Sequence, residues 1–254
     1  MLLGIPEADQ GRLRRTVDQL FHIEPGVGQA NDTVMGAAIE IHGSLSDLLD
    51  ERRLRPRDDL LAALTQAEVT DEQGDRPLTQ SEAIDFAIML FTAGTETVAR
   101  LIGWVGLVLA DHPDQRARLA DNHTLIPGAI EELLRFEAPS PVQGRFATRD
   151  VTLHGATIPG GSKVALLTGS AGRDERKYVN PDVFDIRRRV DLNLAFGYGI
   201  HFCLGAALAR LEGRIALEET LAAYPEWTVD RDRAEMLYTH TVRGYKHLPI
   251  DLAP

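Results

Sequence analysis

Phe196-Gly197-Tyr198-Gly199-Ile200-His201-Phe202-Cys203-Leu204-Gly205 sets the only cysteine of the chain in a glycine-punctuated loop, which leads into a segment expected to be helical over 203–222. The free amides and positive dipole end of a helix favour an anion, so a cysteine placed there serves as a nucleophile or a metal ligand. The surroundings favour the ligand. Gly197 and Gly199 let the backbone bend tightly before the sulfur, Gly205 admits something large and flat just after it, and Phe196 is placed to shield the sulfur from water. The competing reading is a single unpaired cysteine packed on a core helix as a small hydrophobe.

The 254 residues around this loop, 44% apolar and 26% charged, have ordinary globular composition. One cysteine excludes an intramolecular disulfide framework and a multi-cysteine zinc cluster, and it suits a reducing cytoplasm. Met1-Leu2-Leu3-Gly4-Ile5-Pro6 is too short an apolar run for a secretory signal. No stretch reaches about 18 uninterrupted apolar residues, so no membrane span is expected. The formal net charge of −11 argues against nucleic-acid binding.

Periodicity and breakers predict helices over 6–21, 31–54, 57–68, 80–110, 113–121, 127–136 and 203–222, with Pro113 and Pro127 in first turns. Thr79 and Glu82 form a capping box for the longest of these, which is apolar nearly all round and should cross the core. Strands are expected at 151–153 and 163–167, separated by His154-Gly155 and Pro159-Gly160-Gly161, and the end of the chain reads as an irregular sheet. The fold class is mainly α with small β-sheets.

Ala93-Gly94-Thr95-Glu96-Thr97 interrupts the longest helix with small and polar residues, although glycine there costs about 1 kcal/mol relative to alanine and a buried carboxylate is expensive. Two readings stand level. In one, Ala93 and Gly94 admit a ligand against the backbone while Glu96 and Thr97 relay protons to it. In the other, a threonine hydroxyl bonds the preceding turn and Glu96 pairs with Arg100 on a solvated edge. Glu132 and Arg135, at i,i+3, are either a surface ion pair or a buried clamp leading into Pro139-Ser140-Pro141. Arg145 and His201 are the natural donors for an anionic cofactor group. The stretch 178–185 carries the aromatic anchors of a packed meander, and Arg187, Arg188 and Arg189 read as a solvated basic run.

In this order, Ala93–Thr97, Glu132-x-x-Arg135, the meander to Phe184 and the Cys203 loop resemble the cytochrome P450 family in its soluble bacterial form. The resemblance extends along nearly the whole chain, including 242–249. It implies a partial cytochrome P450 fold in which 1–254 form the C-terminal part of a single haem-thiolate domain, since Leu2–Glu7 looks like the middle of a typical member. It further implies haem b with Cys203 as the iron ligand, a thiolate whose donation favours O–O cleavage. Phe196 and Gly205 would lie against the cofactor, with Arg145 and His201 on its propionates. Ala93 and Gly94 would leave room for dioxygen, and Glu96 and Thr97 would relay protons. Glu132 and Arg135 resemble the family's structural ion pair. Val183 stands where many members carry a basic residue completing that network, and one of Arg187, Arg188 or Arg189 is the expected substitute.

The activity so implied is that of a cytoplasmic monooxygenase inserting one oxygen atom from O2 into a small hydrophobic substrate. Electrons would come from NAD(P)H through a ferredoxin-type partner docking near Arg210, Arg214 and the basic run, with no membrane or nucleic acid involved. Substrate contacts are expected from 88–97, 140–144 and 238–241. The alternatives are a truncated, non-catalytic haem-binding or protein-interaction remnant, and a haem-thiolate isomerase or peroxygenase.

Overall fold

Asn31 starts the second helix of the chain by accepting the Val34 amide at 3.0 Å, the capping role expected of a short amide side chain before an apolar run. The computed structural model describes residues 2–23, 31–72, 74–239 and 241–253, in two compact units, Met1–Glu96 and Thr97–Pro254. The first unit holds α1 (Glu7–Phe21), α2 (Asp32–Leu54), α3 (Leu60–Leu64), the antiparallel pair β1 (Glu68–Asp71) and β2 (Gly74–Pro77), and the beginning of α4 (Gln80–Asp111). Leu13, Val17, Ile41, Leu45, Leu49, Leu61, Ala87 and Phe91 make its core.

A charged clamp closes this unit. Arg52 is fully buried, its Nε donating to Asp59 Oδ2 at 2.7 Å and its Nη2 to the Gly4 carbonyl at 2.8 Å. Gly4 takes φ +68°, and a Cβ there would fall 2.0 Å from Asp59 Oδ2, so both the turn and the close approach require glycine. Asp59 has a second task, accepting the Ala62 amide to start α3.

The helix expected over 57–68 is only one short turn of five residues. Thr65 Oγ1 donates back to the Ala62 carbonyl, and the Leu78 amide bonds the Ala67 carbonyl at 3.0 Å, closing the β1–β2 hairpin in place of further helix. The other predicted helices lie within three residues of their expected bounds.

The second unit contains the rest of α4, α5 (Pro113–Asp121), α6 (Ile126–Phe136), β3 (Gln143–Phe146), β4 (Val151–Leu153), β5 (Ala156–Ile158), β6 (Lys163–Leu166), α7 (Thr168–Ala171), α8 (Ala206–Ala223), β7 (Glu226–Val229), β8 (Glu235–Met236), β9 (Tyr245–His247) and β10 (Ile250–Ala253). Its strands form separate antiparallel pairs, β3 with β6, β4 with β5, β7 with β10 and β8 with β9. Leu101, Val105, Leu109, Ile130, Leu133, Phe184, Leu217 and Trp227 pack in its core. Trp227 donates its indole N–H to the Gly106 carbonyl, and Arg116 lies 4.5 Å over its ring; burial lowers the pKa of that guanidinium.

By length and composition α4 is apolar enough to cross a membrane, against the expectation that no segment would qualify. The expectation counted uninterrupted apolar residues, whereas an averaged window tolerates the Gly94–Thr97 interruption. Ala83, Ile84 and Ala87 of this helix pack in the first core and Leu101, Val105 and Leu109 in the second, while 28% of its apolar window is buried.

The predicted capping box is present. Glu82 Oε2 accepts the Thr79 amide at 2.8 Å, Thr79 Oγ1 accepts the Glu82 amide, and Arg76 grips both Glu82 oxygens at 2.8 Å. The Arg76 bonds, then the Thr79 amide, pull the Glu82 carboxyl down from 4.5 to about 2. Because the folded value is depressed, this carboxylate's contribution to the start of α4 is complete above its unfolded value near 4.5 and is lost as pH falls through about 2. A carboxyl-carbon NMR titration of Glu82 should show a midpoint near 2, and Arg76→Met should move that midpoint upward toward 4.5.

Candidate functional site

The Cys203 loop is held by its own backbone. A 3-10 turn over Leu194–Phe196 is started by Asn193, whose Oδ1 accepts the Ala195 amide at 3.2 Å, and the chain then reverses at Gly197, φ +74°. A Cβ on Gly197 would stand 2.9 Å from the His201 carbonyl. The Cys203 amide returns to the Phe196 carbonyl at 2.8 Å, so the loop closes on the residue that opens it.

α8 begins at Ala206 rather than at 203, with Gly205 as its N-cap. Cys203 therefore precedes the helix: its amide bonds the Phe196 carbonyl, and Phe202 before it, at φ −57° and ψ 133°, is outside the helical region. The thiol is exposed, which rules out the core-packed cysteine. Phe196 is buried, while Ile200 and Leu204 are 98% and 72% exposed and Tyr198, Phe202 and His201 are exposed as well. An exposed soft ligand amid exposed apolar side chains is the donor chemistry that suits a metal inside a flat apolar macrocycle.

Arg145 on β3 is partly exposed; its Nη1 donates to the Gly144 carbonyl, and it makes no ion pair among the described residues. Its charge is available to an anionic group, as is the exposed ring of His201. Of the suggested substrate-contact stretches, Ser140 Oγ donates to the Thr241 carbonyl at 3.0 Å, bringing 140–144 and 238–241 together. His240 lies outside the described residues.

Glu132 and Arg135 are a buried clamp and not a surface pair. Arg135 Nε and Nη2 hold the two Glu132 oxygens at 2.6 and 2.7 Å, and its Nη1 donates to the Gly172 and Pro181 carbonyls. The substitute for the missing base at 183 is Arg188. Its Nε donates to Glu132 Oε1 at 3.1 Å, and its terminal nitrogens reach the carbonyls of Val179, Asn180 and Val183. Arg188 is thus no part of a solvated run, whereas Arg187 and Arg189 are exposed. Tyr178 and Phe184 anchor the meander as expected; Arg135 lies 5.1 Å from the Tyr178 ring, and burial raises the pKa of that phenol.

Sequence reasoning missed Gln115, which holds the meander from both sides by donating to the Phe184 carbonyl and accepting the Ile186 amide. It also missed Glu131, whose carboxylate accepts from both Asn193 and Arg210. Neither had a motif to mark it. A groove of about 390 Å³ beside this pair is lined by Ile130, Glu131, Arg210, Leu211 and Arg214 with their neighbours, and none of the predicted site residues lines it.

On α4, Ala93 and Gly94 are exposed, and a Cβ on Gly94 would meet nothing within 4 Å, so close helix packing does not explain the glycine. Glu96 is only 2% exposed and Arg100 is buried with Nη1 on the Tyr245 carbonyl, so neither lies on a solvated edge. Back-bonding to the preceding turn does occur at Thr92 and Thr95, whose hydroxyls reach the Ile88 and Phe91 carbonyls.

The family model for cytochrome P450 matches residues 23–244, and the chain belongs to that family. Members carry haem b. The chain is 42% identical to the vitamin D(3) 25-hydroxylase of Pseudonocardia autotrophica, covering 100% of this chain and 62% of that relative. It is 40% identical to the cytochrome P450 monooxygenase PikC of Streptomyces venezuelae, over 98% of this chain and 59% of the relative. The open structure of the cytochrome P450 EryK from S. erythraea superposes with a TM-score of 0.90 at 34% identity, over 99% of this chain and 64% of that one. The chain thus spans about three-fifths of the length of these curated relatives.

Three substitutions test this geometry by chemical denaturation. Arg188→Met strips a donor from Glu132 and from three carbonyls and should cost about 3 kcal/mol, whereas Arg187→Met should stay within about 0.5 kcal/mol. Gly94→Ala should stabilise the chain by up to about 1 kcal/mol, since the added methyl meets only open space.

Proposed function

We propose that this chain forms the C-terminal part of a single haem-thiolate domain, a cytoplasmic monooxygenase that inserts one oxygen atom from O2 into a small hydrophobic substrate. The observation that carries this reading is Cys203, an exposed thiol on a loop closed by its own amide and surrounded by exposed apolar side chains. Haem, when bound, supplies the redox chemistry that activates dioxygen.

The chain's own residues have separable tasks. Cys203 would hold the iron, and Phe196 and Gly205 would line the cofactor's seat. Arg145 and His201 would donate hydrogen bonds to its carboxylates. Ala93 and Gly94 keep a stretch of helix backbone open to a small ligand, with no Cβ at 94 to narrow it. Glu96 holds a proton-exchanging carboxyl within the protein at 2% exposure, and Thr97, half-buried one residue on, passes protons from it. The stretches 88–97, 140–144 and 238–241 contribute substrate contacts.

Electrons come from NAD(P)H through a ferredoxin-type partner, whose acidic surface is met by exposed arginines. Arg187 makes no ion pair among the described residues, Arg189 pairs with Asp191 at 90% exposure, and Arg214 pairs with Glu218 at 3.5 Å. Such surface pairs are worth little and exchange readily for a partner's carboxylates. Arg210, paired with Glu131 and 38% exposed, lies one turn before Arg214 on the same helix and belongs to the same docking stretch.

The test is the visible spectrum of the chain expressed with haem, reduced with dithionite and exposed to carbon monoxide. A strongly red-shifted Soret band that disappears in Cys203→Ala is expected. Absence of bound haem, or a carbonyl band at the position given by a neutral ligand, would favour the non-catalytic remnant.

A further inference from the structure

Glu131 stands beside the clamp residue Glu132 on α6 but serves a different segment. One Glu131 oxygen accepts from Arg210 Nε; the other accepts Asn193 Nδ2 at 3.0 Å, and the same amide nitrogen also reaches the Glu131 carbonyl at 3.0 Å. Asn193 lies just before the cysteine loop and starts its first turn, and Arg210 lies just after the loop on α8. One carboxylate therefore joins the two ends of the loop. The Arg210 guanidinium lies 4.3 Å from the Phe196 ring centroid, and it is the Phe196 carbonyl that holds the Cys203 amide.

We propose that Glu131 and Arg210 are positioning residues for Cys203. Glu131 fixes the plane of the Arg210 guanidinium, which stacks on Phe196 and keeps the Phe196 carbonyl aligned with the Cys203 amide. The pair spans the loop as a clasp, and its stacking needs the planar fork of arginine and not merely a positive charge. Neither residue touches the sulfur in this account; both act through Phe196. The consequence for bound haem rests on the function proposed above, whereas the positioning itself does not.

Hydrogen–deuterium exchange on the full chain without haem separates the two. Glu131→Gln and Arg210→Met should speed exchange across 196–204 by about tenfold or more, with the later turns of α8 and the thermal midpoint little changed. Arg210→Lys, which keeps the charge without the stacked plane, should fall between parent and Arg210→Met, and it decides the question if Arg210→Met fails to fold. Unchanged protection of 196–204 in well-folded variants would overturn the proposal. With haem loaded, Glu131→Gln and Arg210→Met should shift part of the reduced carbonyl band from the thiolate position to the neutral-ligand position. Faster exchange with an unmoved band would overturn the claim that positioning reaches the sulfur. If the parent chain binds no haem, the function proposed above fails, and the exchange measurement alone decides the role of the clasp.

Discussion

The buried carboxylate of Glu132 is the constraint on which the second unit depends. Removing such a charge from water is expensive, and the arrangement is tolerable because four N–H groups donate to it. Arg135 binds it bidentately, Arg188 adds a second cation, and the Asp185 amide donates at 3.1 Å. The two arginines then spend their remaining N–H groups on carbonyls of an irregular segment that no sheet or helix satisfies. A loop-rich stretch gains a defined shape because two planar cations act as its hydrogen-bonding partners. That shape carries the chain from α6 to the cysteine loop.

Much of this was legible in the sequence. Strong periodicity and local caps placed nearly all the helices, and the Thr79–Glu82 box appears as expected because both partners lie within one turn. The cysteine loop was legible because its glycines, phenylalanine and cysteine act on one another over a few positions. Illegible were interactions whose partners are far apart in sequence and carry no motif. Gly4, Arg52 and Asp59 look unrelated until Arg52 is found holding the other two. The same holds for Arg188, which within a run of three arginines looks like a surface residue; only the fold distinguishes it from its neighbours.

The glycine at 94 in α4 shows the opposite situation, a local rule broken where no neighbouring atom requires it. Glycine weakens the helix at 94, no neighbour requires its lack of a side chain, and a carboxylate is drawn inside two residues later. Departures of this kind collect where chemistry is performed, because a sequence selected for stability alone would remove them. The cysteine loop follows the same pattern, with two positive-φ glycines and a set of apolar side chains left at the surface.

The distance in sequence across the Glu132 clamp also orders events during synthesis. Arg188 follows Glu132 by 56 positions. At about 5–20 residues per second, a ribosome makes α6 several seconds before the second cation exists. During that interval Arg135 alone grips the carboxylate, and the Arg188 and Asp185 donors that complete the clamp are still to come. The cysteine loop emerges after Arg188 and before α8, so the seat of the sulfur is complete only when Arg210 reaches Glu131 from the far side of the loop.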